Sequence, residues 1–222
     1  PAIAAAVITL PSLARQGVLP LPPLATLPDG TALVMLIDAA AEYEHYTADI
    51  TRTFPVNGKF TQAQRDIYDV VLDVQIACCE ATKVGTTIKQ RQELSIELLT
   101  EGMKKIGLLK GDTKKLIKKK AYFKYYMHGV GHYLGLDVHD AGRYFTDQKA
   151  KNSRPFEAGM VLTVEPGIYV PPNDKDAPAK FRGIGVRIED DVLVTESGNV
   201  NLTAKVPKHA EEIEEIMAKA KK

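Results

Sequence analysis

An α+β fold is predicted by three features of this chain. Apolar, strand-like runs gather in two places, 32–54 and 160–194. Between them the apolar spacing changes from that of strands to that of helices. The resulting order is strands, helices, strands and a last helix, not the alternation that builds a parallel α/β sheet.

The stretch Leu10 to Gly30 holds Pro11, Pro20, Pro22, Pro23 and Pro28 and reads as irregular or edge structure. Ala32 to Ala39 reads as an apolar strand and Tyr46 to Phe54 as its hairpin partner, with the turn near Tyr43-Glu44-His45. Thr61 with Gln64 has the pattern of a capping box. Ile67, Val70, Val71, Val74 and Cys78 then recur at helical spacing, and Gly85 closes that helix. A second helix runs from about Ile88 to Ile106, carrying Leu94, Leu98, Leu99 and Met103, with Gly107 as its stop. A short lysine-rich helix is expected near Thr113 to Lys120. Met160 to Tyr169 and Gly185 to Val194 read as strands around the loop Pro171 to Phe181, and a charged helix from about His209 ends the chain.

The 222 residues suffice for one large domain or two small ones. At 45% hydrophobic and 26% charged, the composition is that of an ordinary globular protein. A net charge of +1 gives no global attraction to nucleic acid or membrane. The basic run Lys114 to Lys124 reads as a solvated helix face. Cys78 and Cys79 are helix neighbours that point apart, so no disulfide framework is expected and a cytoplasmic location follows. No apolar run reaches membrane-spanning length, and no signal peptide is read. The start without methionine is expected to mark a processed chain or a fragment.

Asp38, Asp49, His132, Glu165 and Glu189 have the chemistry of one dinuclear metal site. A turn between Tyr43 and Glu44 sets Asp38 directly opposite Asp49, with Cβ atoms about 4.5–5.5 Å apart. Two carboxylates that close in an apolar sheet repel and lose solvation, so cations are needed to hold both. Glu165 and Glu189 align in the same way across the second strand pair, with a register fixed less firmly because the loop is long. Arg187 shares strand parity with Glu189 and reaches the same face. His132 sits in the run His128-Gly129-Val130-Gly131-His132, where glycines allow close backbone approach. Four carboxylates balance two divalent ions. Oxygen-rich ligation with one imidazole suits Mn²⁺ first, and tolerates Co²⁺, Zn²⁺ or Fe²⁺. Two such ions about 3.5–4 Å apart lower the pKa of a shared water toward 7.

The segments Leu36-Ile37-Asp38, Asp49 to Pro55, Met127 to Asp140, Val164-Glu165-Pro166-Gly167 and Arg187 to Asp191 resemble the metallopeptidases of the pita-bread fold, family M24. Within that family the stretch from Thr51 to Tyr68 is most similar to the Xaa-Pro aminopeptidases. The resemblance covers about residues 32 to 205. It implies a curved antiparallel sheet covered by helices. It also implies cleavage before a proline at the second position of a peptide.

The resemblance implies roles as well. Asp38 and Asp49 bind one ion, His132 and Glu165 the other, and Asp49 and Glu189 bridge. Glu165 shuttles a proton. His128 and His139 contact substrate, Arg187 supports the ligands, and Tyr144 and Tyr169 line the pocket. A homo-oligomer is expected, with no nucleic-acid or membrane partner. Xaa-Pro dipeptidase and a non-catalytic peptide-binding module are the alternatives.

The family usually has glycine where Ala40 and His45 stand. It also has a His-Tyr element upstream, which residues 1 to 31 do not match. The expectation is therefore one catalytic domain over 1–222, truncated or divergent in about residues 1–31, without the family's N-terminal domain.

Overall fold

The computed structural model describes residues 5–10, 33–147, 149 and 151–220. The proline-rich stretch beyond Leu10 lies outside the described residues. Strand β1 (Ala5–Leu10) runs parallel to β2 (Val34–Ala39), which pairs antiparallel with β5 (Ile50–Pro55). Strands β3 (Glu42–Tyr43) and β4 (Tyr46–Thr47) form a small hairpin between β2 and β5.

The second half pairs antiparallel throughout. Strand β6 (Val161–Val164) pairs with β9 (Asp190–Thr195), and β9 pairs with β10 (Gly198–Asn201). Strand β7 (Gly167–Tyr169) pairs with β8 (Gly185–Arg187). Side-chain and backbone hydrogen bonds join the halves. The Thr53 hydroxyl donates to the Arg187 carbonyl at 2.9 Å, and the Glu189 N–H donates to the Thr51 carbonyl at 3.0 Å.

The helices form where the sequence places them. Helix α1 (Gln62–Ala81) starts with the Thr61–Gln64 capping box, and α2 (Ile88–Lys105) with a matching box from Thr87 and Gln90. Helix α3 (Thr113–Lys118) is capped by Asp112, and α4 (Ala210–Ala220) closes the described chain. Ile67, Val71 and Cys78 of α1 are fully buried, on a face that meets β6, β7 and β8 as well as α2. Burying each such aliphatic side chain stabilises the fold by roughly 1.5–3 kcal/mol. That cover makes the inner sheet a low-dielectric wall for the site. No helix among the described residues is long and apolar enough to cross a membrane.

Two register expectations fare differently. The loop-spanning one holds: Val164 faces Asp190 and Gly167 faces Arg187, so Glu165 and Glu189 lie opposite each other between the two ladders. The hairpin one is corrected. Asp38 faces Thr51, not Asp49. The turn residues are Glu44 and His45, with φ of 50° and 68°, and this two-residue turn moves the pairing by two positions. An even shift keeps Asp49 on the face of Asp38, now diagonal to it and just before β5 begins. His45, where the family has glycine, takes a left-handed conformation, and Ala40 does not. The expected single strand from Tyr46 to Phe54 is accordingly split, and so are Met160 to Tyr169 and Gly185 to Val194.

Gly102 lies where α2 presses against α1. A Cβ there would lie 2.3 Å from Val70 Cγ1. Helix propensity alone favours alanine by about 1 kcal/mol. The β-branched Val70 has little rotameric freedom to yield, so overpacking of about 1–3 kcal/mol is expected to win. Gly102→Ala is therefore expected to lower the urea midpoint. A midpoint above that of the parent chain would show that the helices can separate at no cost.

Candidate metal centre

The centre is built where the second sheet splits. Pro166 has no N–H to give to the ladder. The Glu165 N–H instead donates to the Val130 carbonyl, and the Glu189 N–H to the Thr51 carbonyl. The break opens a seat between three chain segments. His132 enters from a strand-like run beside β6, where its N–H meets the Thr163 hydroxyl at 3.1 Å and its carbonyl accepts from the Thr163 N–H at 2.9 Å. Gly131 makes this approach possible. A Cβ there would sit 1.9 Å from the Thr163 carbonyl oxygen, at a φ of 157°.

All five expected ligands converge. His132 Nε2 lies 3.4 Å from Asp49 Oδ2 and 3.5 Å from Glu165 Oε1. Asp49, His132 and Glu189 each offer a ligand atom, all within 4.8 Å of one another. The Asp38 and Asp49 carboxyl groups are near enough for Asp49 to raise the pKa of Asp38. His132 Nδ1 lies 2.9 Å from the Tyr133 carbonyl, so it carries the proton and leaves the Nε2 lone pair facing the carboxylates. Glu189 Oε1 is buried without a hydrogen-bond partner.

The electrostatics show a cluster that lacks positive charge. Burial, then hydrogen bonding and repulsion from Asp49, raise the Asp38 carboxyl to about 6, against the pull of Arg187. Burial, with the charges of Asp49 and Asp38, raises Glu165 to about 7, although His132 and Arg187 oppose this. Glu189 is raised well above the carboxylate range by burial and by Glu165 and Asp49. Burial resists protonation of His132, but Asp49, the Tyr133 carbonyl and Glu165 together hold its pKa above the ordinary value. An orphaned carboxylate oxygen, an aimed imidazole lone pair and several acids held protonated fit divalent cations well.

The remaining expected residues surround this seat. Arg187 donates through Nη2 to Asp38, through Nε to the Thr51 hydroxyl at 3.0 Å and through Nη1 to the Tyr169 hydroxyl at 3.3 Å. His128 Nδ1 lies 2.8 Å from the Gly129 carbonyl, and its Nε2 lies 2.8 Å from the Tyr169 hydroxyl. His139 is exposed and packs edge-on against His132, with centroids 4.3 Å apart. Tyr144 is placed differently. Its hydroxyl accepts from the Tyr133 N–H at 3.2 Å and its ring packs on Tyr133, in a small core cluster beside the site.

Three residues have parts that the sequence reading did not assign. The Thr51 hydroxyl donates to Glu189 Oε2 and accepts from Arg187, joining two of the site's charges. Strand parity could have found it, because Asp49 and Thr51 share a face. Asp191 accepts from the Asp49 N–H at 3.1 Å, while its other oxygen is buried without a partner. Burial, then the charges of Asp49 and Asp190, raise it to about 7 against the Asp49 N–H bond. Arg52 donates to the Glu189 carbonyl at 2.6 Å and to Asp190 at 2.7 Å, so its charge is used behind the site. Arg187 alone among the described arginines and lysines bonds one of the four carboxylates, so satisfaction by protein cations fails as an account of the cluster.

Residues 23–196 match metallopeptidase family M24. The chain belongs to this family. It is 52% identical over 189 residues to the Xaa-Pro aminopeptidase of Escherichia coli (strain K12), covering 85% of this chain and 42% of that one. It is 44% identical over 187 residues to Xaa-Pro aminopeptidase 3 of Homo sapiens, covering 84% of this chain and 36% of that one. Among solved structures, Pseudomonas aeruginosa aminopeptidase PepP superposes with a TM-score of 0.82 at 44% identity, over 88% of this chain and 45% of that one. Zinc-substituted Escherichia coli aminopeptidase P in complex with product superposes with a TM-score of 0.79 at 52% identity, over 85% of this chain and 42% of that one. The fold is the pita-bread fold, and this chain spans less than half the length of these relatives. Membership in M24 implies divalent metal ions, in accord with the donor set.

Without metal, stability is expected to fall as pH rises. Asp38, Glu165 and Asp191 keep their protons in the fold up to about 6, 7 and 7, whereas in the unfolded chain such groups titrate near about 4. The folded state binds more protons across that interval, so this stability is complete below about pH 4 and lost as pH climbs through about 7. His132, also raised, adds the same sign, and His128, lowered by burial and by Arg187 against the Gly129 bond, opposes it. Thermal unfolding in chelator and in excess Mn²⁺ checks this, with the gain from metal growing with pH. A chelated protein that grows more stable between about pH 5 and 7 would contradict it.

Proposed function

We propose that this chain carries the catalytic centre of a dinuclear-metal aminopeptidase that cleaves the bond between a first residue and a following proline. The convergence of Asp38, Asp49, His132, Glu165 and Glu189 carries the reading, because it joins a two-ion donor set to histidines at the same opening. The proline preference is supported by the names of the relatives. Manganese is the proposed metal, on the oxygen-rich ligation, and the cytoplasm the proposed location, on the buried free thiols of Cys78 and Cys79.

Asp38 and Asp49 would hold one ion and His132 and Glu165 the other, with Asp49 and Glu189 shared. When bound, the ions supply Lewis acidity and an acidified water. The chain's own groups do the rest. Glu165 combines burial with a carboxyl oxygen beside His132, so it can take a proton from the attacking water and pass it to the departing proline nitrogen. His139 makes no hydrogen bond among the described residues and stands at the exposed edge of the site. It is therefore free to donate to the carbonyl oxygen as negative charge develops there. His128 has both ring nitrogens engaged, so a substrate contact requires exchange of its Tyr169 or Gly129 bond. Arg187 holds Asp38, Thr51 and Tyr169 together, which keeps a ligand, a ligand support and a wall residue in one frame.

The Mn²⁺-loaded chain is expected to release the first residue from an Xaa-Pro-Yaa tripeptide. Glu165→Gln is expected to lower kcat by at least roughly a hundredfold, through loss of the proton carrier. Cleavage of an Xaa-Pro dipeptide alone would move the reading to a dipeptidase. Metal binding without cleavage of either peptide would overturn the enzyme reading in favour of a peptide-binding module.

A further inference from the structure

The lysine-rich segment has a structural counterpart away from the metal centre. Between Lys104 and Lys124 the sequence has nine lysines and one aspartate, a local charge of +8 in a chain whose total is +1. The segment borders a cleft of about 640 Å³, within the range of small-molecule pockets. Leu108, Leu109, Leu116 and Pro178 give the cleft an apolar floor, and Lys110, Lys120, Lys124 and Arg182 stand around it with Asp176 as the one acid. No residue of the metal centre lines it.

The rim cations are not equivalent. Lys124 is neutralised by Asp174 at 2.7 Å and Asp176 at 2.9 Å. Arg182 donates to the carbonyls of Ala177 and Lys175. The side chains of Lys110 and Lys120 have no hydrogen bond or ion pair among the described residues. Lys120 is held at φ 52°, a left-handed conformation that a side chain bearing Cβ adopts at a cost. A cleft with an apolar floor and a predominantly positive rim concentrates the field of those charges.

We propose that this cleft binds a phosphate monoester with an apolar or aromatic body. Two unpaired ammonium groups balance a phosphate that carries about −1.5 to −2 at neutral pH. A carboxylate would leave one ammonium unmatched. The apolar floor takes the body of the ester, and Lys110 and Lys120 hold its head.

The same head group occurs on free metabolites and on phosphatidate in a lipid surface, and the test separates them. Phenyl phosphate is titrated into the chain by calorimetry beside inorganic phosphate, and vesicles of phosphatidylcholine with and without phosphatidic acid are tested by co-sedimentation. Phenyl phosphate is expected to bind more tightly than inorganic phosphate. Lys120→Gly and Lys110→Ala are each expected to weaken it roughly tenfold, the value of one charge-assisted hydrogen bond. Lys120→Gly also relieves the left-handed strain, so its thermal stability is expected to match or exceed that of the parent chain, which separates lost binding from lost folding. Binding confined to phosphatidate vesicles, and lost in Lys120→Gly, would assign the head group to lipid. No binding of either kind, or binding that both substitutions leave unchanged, overturns the proposal.

Discussion

Several carboxyl groups share one low-dielectric seat, and the rest of the structure is arranged around that constraint. Asp38, Asp49, Glu165 and Glu189 stand close enough that charges within the set raise the pKa of Asp38, Glu165 and Glu189, and Arg187 is the one arginine or lysine that bonds any of them among the described residues. Such a cluster persists because neighbouring elements hold it rigidly. The sheet breaks at Pro166 so that Glu165 and Glu189 face each other without ladder bonds of their own. Gly131 lets the His132 run press against β6. Helix α1 seals the far side of the sheet with Ile67, Val71 and Cys78.

Behind the seat lies a second charged cluster of opposite character. Asp190 is fully buried, yet Arg52 and Lys208 bond it directly, with Gln75, Asn201 and Thr203 completing the shell. Burial works to raise its pKa, but these cations win and hold it below the ordinary carboxylate range. Adjacent residues of the chain thus meet opposite fates. Asp190 points to protein cations and stays ionised, while Glu189 and Asp191 each bury an oxygen that no protein group bonds. The contrast places the carboxylates without protein partners on the side of the chain that faces the candidate site.

Much of this was legible in the sequence, for physical reasons that differ by element. Thr61 and Gln64 announce the start of α1 because capping chemistry is local, and the 3.6-residue spacing from Ile67 to Cys78 fixes its buried face. The convergence of the four acids could be anticipated because carboxylates in apolar runs need a reason to be there. The hairpin register could not. Neither Glu44 nor His45 advertises the left-handed turn that glycine would have signalled, so the pairing fell two residues from its true place. The part of Asp191 is hidden because its partner Asp49 lies more than a hundred positions away along the chain, whereas Thr51 shares strand parity with Asp49 and was open to the same argument. The resemblance places Tyr144 in the pocket wall, and in the structure it packs on Tyr133 and accepts from that residue's N–H, one position from His132.

The central claim is that these five side chains form one two-ion site. Equilibrium dialysis of the chain with Mn²⁺, followed by electron paramagnetic resonance, tests it most directly, with Glu189→Gln as comparison. Two manganese ions per chain with an exchange-coupled spectrum are predicted, and loss of that coupling in the variant. No specific manganese binding, or binding and spectrum unchanged by Glu189→Gln, would contradict the account.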